Sequence, residues 1–358
     1  MRTGFAQLPL HGGKAPHWLF SRMVLLAREV ACHVVAEFGP EEMLRRLSDP
    51  YWFQAFGCAL GFDWHSSGLT TTACGALKEG IRGLERELGL FAAGGKGAAS
   101  RKTPAEIERA CETASLEAGP LVYASRMSAK VDSAAVQDGY QIYHHCFFFT
   151  GSGRWCVVQQ GMNEASAMAR RYHWLGERLP SFVAEPHAAV CCDARGETLN
   201  FVAEESAPAR THTAALARTG PGEVVPVLQK LPELVLPRRH LVSLADVDPR
   251  RLERILLKTR ERAPADFESL LGIEGVGAKT VRALGLVAEL IYGAPASVRD
   301  PARFSFAHGG KDGTPFPVDR ETYDRTIRVL HRALERAKVD RTEKVRALKR
   351  LSRFELDG

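Results

Sequence analysis

The sequence predicts an α+β protein, mainly helical, with two β-hairpins in its N-terminal part and a helical C-terminal domain. Three observations carry this. Apolar residues recur at helical spacing near both ends of the chain, β-rich runs are confined to the middle, and strict βαβ alternation is missing.

The first helix is expected from Pro16, a good first-turn residue, with Leu19, Phe20, Met23, Leu26, Ala27 and Val30 on one face and Gly39 as its stop. Shorter helices are expected at 40–47, 50–60 and 71–88, then a Gly-rich, basic loop at 92–102. Thr103 and Glu106 form a capping-box pattern around Pro104. The runs 140–149 and 154–160 flank Thr150-Gly151-Ser152-Gly153, a hairpin signal. A second hairpin is expected between 187–192 and 198–203, turning at Asp193-Ala194-Arg195-Gly196. The stretch 205–239 is rich in Pro, Ala and Thr and reads as a linker, after which helices return at 249–262, 264–271, 278–292 and 320–351. The expected division is therefore an N-terminal α+β domain (1–205), a linker (206–239) and a DNA-binding domain (240–358).

Composition excludes several classes. With 45% apolar and 25% charged residues, the 358-residue chain is not a disordered one. The longest apolar stretch, 18–38, is broken by Arg22, Arg28, Glu29 and His33, so no membrane span is expected. The N-terminus lacks a secretory pattern, which points to the cytoplasm. Eight scattered cysteines form no CxxC pair, so they read as reduced, buried residues rather than zinc ligands. Charge is uneven: residues 238–358 carry 25 Lys and Arg against 18 Asp and Glu, whereas the rest is close to neutral. A basic C-terminal part suggests a polyanion partner.

The sharpest motif runs from Leu270 to Leu284 and contains Gly275, Val276, Gly277, Ala278, Lys279, Thr280 and Arg282. It resembles a helix-hairpin-helix, in which glycines let turn amides approach a phosphate at a helix N-terminus. Lys279 puts a cation in that first turn, a poor choice for helix stability alone and a good one beside an anion. Contacts of this kind address the backbone, not the bases.

Other candidates are less specific. His11-Gly-Gly-Lys14 and His308-Gly-Gly-Lys311 offer glycine turns with a lysine, either phosphate contacts or flexible turns; the third such triplet, at Lys96, reads as a turn. Arg170 and Arg171, beside Tyr172 and Trp174, mix basic and aromatic side chains in a way suited to nucleic acid. Asp132 and Asp138 are candidate ligands of Mg²⁺ or Mn²⁺ for phosphodiester hydrolysis, with Lys130 on the transition-state charge and His144 beside them. Asp63 and His65 form a similar pair. Caps, turns and hydrogen-bonded core residues are the commoner reason for such clusters, and no established nuclease signature is present. His144 and His145 point to opposite faces of a strand, so only one can serve a given site.

Together, His11-Gly-Gly-Lys14, Phe62-Asp-Trp-His65-Ser-Ser-Gly68, Gln137-Asp-Gly-Tyr140-Gln-Ile-Tyr143-His-His145, the hairpin motif and Ser305-Phe-Ala-His308-Gly-Gly-Lys311-Asp-Gly313 are similar to a bacterial and archaeal family known as domain of unknown function 763. The resemblance covers nearly the whole chain. It implies association with DNA, in particular branched intermediates such as Holliday junctions, and carries no catalytic residues with it. The expected function is sequence-independent binding of branched DNA in repair or recombination; a metal-dependent nuclease is the alternative. A homodimer is expected, because one hairpin touches only a short stretch of backbone, and the part from about residue 238 is expected to bind DNA by itself.

Overall fold

A computed structural model describes residues 17–62, 67–177, 179–192, 196–230, 249–302 and 320–356. The chain begins with α1 (His17–Phe38), α2 (Pro40–Ser48), α3 (Pro50–Leu60), α4 (Gly68–Ile81) and α5 (Glu85–Leu88). After β1 (Leu90–Lys96) come α6 (Ala98–Arg101), α7 (Thr103–Ala114) and α8 (Ala118–Lys130). A π-turn over Val131–Ala135 leads into β2 (Val136–Gln137), β3 (Gln141–Thr150), β4 (Trp155–Asn163), β5 (Met168–Leu175), β6 (Ala189–Cys191) and β7 (Leu199–Asn200). The remaining helices are α9 (Ala207–Thr219), α10 (Pro221–Gln229), α11 (Pro249–Arg262), α12 (Phe267–Gly272), α13 (Ala278–Tyr292), α14 (Arg320–Arg336) and α15 (Arg341–Leu356). The protein is thus α+β and mainly helical, as expected. No helix among the described residues is long and apolar enough to cross a membrane.

The organising element is an antiparallel sheet in the order β1-β3-β4-β5-β6. Helices cover both of its faces, which explains why its central strands carry unbroken apolar runs rather than alternation. On one face Phe147, Phe149, Val157, Tyr172 and Trp174 share a core with residues of α7–α13. On the other, Cys146, Phe148, Cys156 and Val158 pack with α1, α3, α4, α14 and α15.

The expected β3–β4 hairpin is present, and β4 continues into a second hairpin with β5. The hairpin expected at 187–203 does not form: β6 pairs with β5, whereas β7 pairs with β2 in a separate two-stranded ribbon. Each arm finds a better partner elsewhere. The expected loop at 92–102 is divided between β1, which runs to Lys96 with Gly94 and Gly95 at φ +90° and +145° on the sheet edge, and α6. A Cβ on Gly94 would stand 2.2 Å from the His145 carbonyl oxygen, so only glycine allows that pairing. Lys96 therefore ends a strand rather than occupying a turn. Glu106 does not cap its own helix. Its carboxylate accepts from the Gly94 amide at 2.8 Å and from Lys78 Nζ at 2.5 Å, tying α7 to β1 and α4.

The expected linker is helical over α9 and α10, with Ala209, Leu216, Ala217, Val224 and Leu228 in the core. The cores on the two sides of the expected boundary are also continuous. Phe201 stacks on Phe267 at 5.5 Å, and α14 and α15 return to pack on α1 and α3. Charge partition alone could not reveal this, because surface charge and core membership are independent properties.

Candidate nucleic-acid interface

The α12–turn–α13 hairpin is held from beneath and open above. Asp266 caps α12, accepting from the Ser269 amide at 2.8 Å, while Ser269 Oγ accepts from the Asp266 amide at 3.0 Å. The helix ends at Gly272, and the chain turns with Gly275 at φ +94°, a left-handed conformation that favours glycine. Val276 buries its side chain and anchors the turn. Gly277, extended at φ −141°, is the N-cap of α13 and offers no side-chain cap, so among the described residues the first-turn amides have no capping side chain. A Cβ on Gly277 would meet nothing within 4 Å. Gly275 and Lys279 are exposed, Gly277 and Ala278 half-buried. This is an open, electropositive helix end.

Other candidates in the motif serve as supports. The Arg282 Nε donates to Gln137 Oε1 at 2.7 Å, and Gln137 Nε2 donates to the Ala278 carbonyl at 2.9 Å, clamping α13 to β2. Thr280 is buried. Lys130 Nζ donates to the Val276 carbonyl, and burial lowers the pKa of the lysine. The expectation that Lys130 faces a reacting phosphate is therefore corrected: it braces the back of the turn. Beside the hairpin lies a cavity lined by Lys258, Arg262, Pro264, Ser269, Gly272, Ile273 and Glu274, with Lys258 paired to the exposed Glu274 at 3.0 Å. Exposed Arg250, Arg251, Arg254 and Arg262 add positive charge along α11.

Arg170 and Arg171, expected on a DNA-binding surface, are sealed inside the sheet sandwich. Arg170 donates to Asp138 at 2.9 Å and Asp300 at 2.8 Å, and its guanidinium lies 4.5 Å from the Tyr140 ring centroid. Arg171, on the opposite face, donates to Gln54 Oε1 at 3.2 Å and His173 Nε2 at 2.8 Å, and lies over Phe53. Strand alternation sends the two neighbours to different cores, which composition could not show.

The metal candidates do not fit a metal. Asp132 accepts from Gln159 at 2.5 Å, Trp174 Nε1 at 2.9 Å and His187 Nε2 at 2.5 Å. Asp138 accepts from Arg170, from Tyr172 OH at 2.6 Å and from the Tyr140 amide at 3.1 Å; burial raises its pKa, opposed by the charge of Arg170. Both carboxylates are buried and engaged by structural donors. Among the described residues, no group of three or more His, Cys, Asp or Glu could hold a metal ion. His144 sits on the other face, so the expected cluster does not converge.

That other face carries a row in register across five strands: Lys96, His144, Gln160, Arg171 and Cys191. Both ring nitrogens of His144 and the Gln160 Oε1 are buried with no partner among the described residues, whereas Gln160 Nε2 donates to the Ser67 carbonyl at 2.9 Å. Burial first, then the charges of His145 and Lys96, push the His144 pKa down to about 3. His145, on the first face, bonds Ser125 Oγ at 2.9 Å and Gln159 Oε1 at 2.8 Å. Asp63, His65, Lys14 and Lys311 lie outside the described residues.

The family model described as "Protein of unknown function (DUF763)" matches residues 4–318. The chain belongs to this family. The matched span takes in the whole sheet and the α12–α13 hairpin, so both regions are family features rather than additions to it. No curated protein and no solved structure matches the chain. Sequence reasoning missed Asp300 and His187, which complete the buried polar clusters from 130 and 55 residues away in sequence. Neither lies in a motif, and no local pattern signals such a pairing.

Proposed function

We propose that this chain binds DNA through the phosphate backbone, without reading sequence, and that α12–turn–α13 acts as a helix-hairpin-helix. The observation that carries the reading is the Gly275–Gly277 turn, with Gly275 exposed, no side-chain cap on the α13 N-terminus and exposed Lys279 beside it. Backbone amides and a lysine at one helix end suit a phosphate oxygen, and the glycines let it approach. The basic face of α11 extends the same field.

The substrate we propose is branched DNA of repair and recombination, such as a Holliday junction, because one hairpin gives few contacts and a junction lets several be made at fixed separation. Two copies of the chain on one junction, matching its near two-fold symmetry, follow from the same argument. Cleavage is not favoured, since Asp132 and Asp138 are engaged by structural donors.

The test is binding of the full chain to labelled four-way junction, duplex and single strand across a salt series. Each phosphate neutralised on duplex contributes about −0.9 to the log–log slope. A steep slope with tighter junction binding supports the reading, and a slope near zero overturns it. Light scattering of the complex separates one chain per junction from two.

A further inference from the structure

Three elements away from the phosphate-facing turn meet in an aromatic cleft of about 410 Å³, lined by Gly119, Pro120, Tyr123, Trp155, Gly176 and Phe182 among others. That size falls within the range of small-molecule sites, roughly 300–1,000 Å³. Its wall is a column of rings: Phe147 stacks on Trp155 at 5.6 Å, and Trp155 and Phe182 are parallel within 3° at 5.9 Å. Tyr123 meets Phe182 edge-on at 5.6 Å. Gly176 is required for this, because a Cβ there would stand 2.3 Å from Trp155 Cε2. At the rim Tyr123 OH donates to Glu268 Oε1 at 2.6 Å, and Glu268 Oε2 makes no bond among the described residues.

The cleft is joined to the hairpin by a regular contact line. Along α8, Tyr123 bonds Glu268 at the start of α12, Met127 Cε lies 3.8 Å from where a Cβ on Gly272 would stand, and Lys130 bonds the Val276 carbonyl in the turn. These α8 residues follow helical spacing, and the seven positions from Tyr123 to Lys130 span about 10 Å. Duplex DNA advances about 3.4 Å per nucleotide, so this length of α8, from the cleft rim to the residue that braces the turn, corresponds to about three nucleotides. Arg126, exposed on the same helix between those contacts and in no ion pair among the described residues, can neutralise a phosphate in between.

We propose that the cleft receives one unpaired nucleobase of the DNA bound at the hairpin, an inference that rests on the DNA-binding reading. The base adds its π-face to the Trp155–Phe182 wall, and the Glu268 carboxylate accepts from an exocyclic amino group such as cytosine N4. An unpaired base enters at the lowest cost, since no pairing need be broken, which suits branch points and gaps rather than intact duplex.

The experiment compares the full chain on three DNAs: a duplex with one unpaired cytosine, the same duplex with an abasic residue in its place, and the fully paired duplex. The cytosine form should bind about 5- to 150-fold tighter than the abasic form, the range of one base–aromatic stack. Phe182→Ala, which removes part of the wall, and Gly119→Leu, which fills the cleft from an exposed helical position, should erase that difference and leave paired-duplex affinity unchanged. Gly119→Leu keeps the test decisive should the Phe182 variant fail to fold. Equal affinity for cytosine and abasic forms, or variants that keep the difference, overturns the cleft. If all three DNAs bind equally with steep salt dependence, the backbone reading stands and the cleft alone falls. If none binds, both fall.

Discussion

Lys279 and Arg170 are both cations that composition places against DNA, and the fold treats them oppositely. Lys279 stands exposed in the first turn of an uncapped helix. Arg170 is buried between Asp138 and Asp300. The difference lies in the local period: a surface helix turns its core-facing residues inward every three or four positions and leaves the others to solvent, whereas a strand covered on both faces leaves none. A basic residue is a surface candidate only once its element and that element's cover are known. The two arginines of β5 belong to the architecture, and the lysine of α13 is left to the proposed interface.

The largest test of that contrast is removal of Arg170. Arg170→Leu leaves Asp138 buried with no cation, and breaking a buried pair from one side costs about 3–5 kcal/mol. Urea denaturation should show a loss of that order, with DNA affinity unchanged under conditions where the variant is folded. A variant as stable as the parent, or one that folds and loses DNA, would return Arg170 to the interface.

The opposite face of the sheet gives a smaller effect with a pH signature. His144 has a pKa pushed down to about 3 in the folded chain, against about 6.5 when unfolded. Between those values the unfolded chain binds more protons, so stability is complete above about pH 6.5 and falls as the pH drops toward 3. His145 and His173, whose pKa values burial also lowers, act in the same direction. The contribution of His144 is on the order of a few kcal/mol. His144→Phe removes it, together with two buried nitrogens that have no partner among the described residues, so the variant should be at least as stable at pH 7 and lose less between pH 6.5 and 4. An unchanged pH dependence of the urea midpoint would show that His144 does not titrate in this way.

The elements that could be read from sequence were those whose signal is local. The β3–β4 hairpin, the helices of the first sixty residues and the glycines of the α12–α13 turn each rest on a few adjacent residues. The opposed directions of His144 and His145 followed from strand alternation. What could not be read was pairing at long range. The arms at 187–192 and 198–203 carry hairpin chemistry, yet β5 and β2 compete for them and win. Asp132 and Asp138 have the composition of a metal site, but Trp174, His187, Arg170 and Tyr172 arrive from distant strands and loops and take up their oxygens. The Pro- and Ala-rich stretch after residue 205 looked like a linker because small residues pack helices closely as readily as they loosen a chain.

The finest distinction lies within the turn itself, between two glycines that sequence treats alike. Gly275 has φ +94°, where any L side chain is strained, whereas Gly277 has φ −141° and open space around its Cβ position. Gly275→Ala should therefore lower stability by about 1 kcal/mol, the usual cost of a side chain at positive φ. Gly277→Ala should lower stability less than Gly275→Ala, by about 0.5 kcal/mol, because its new methyl meets no atom among the described residues and the only cost is that Ala is a poorer N-cap than Gly. That methyl would instead stand where a phosphate oxygen must approach the α13 amides, so the expected loss is in DNA affinity, several-fold and equal across sequences. Lys279→Ala should lose a similar amount and also reduce the salt slope by about one, since one phosphate contact carries that share. The separation is the informative part: stability responds most at Gly275, DNA at Gly277, and salt dependence at Lys279. Were Gly277→Ala to bind DNA as the parent does, the phosphate would have to sit elsewhere on the basic surface, and α11 would be the next place to look.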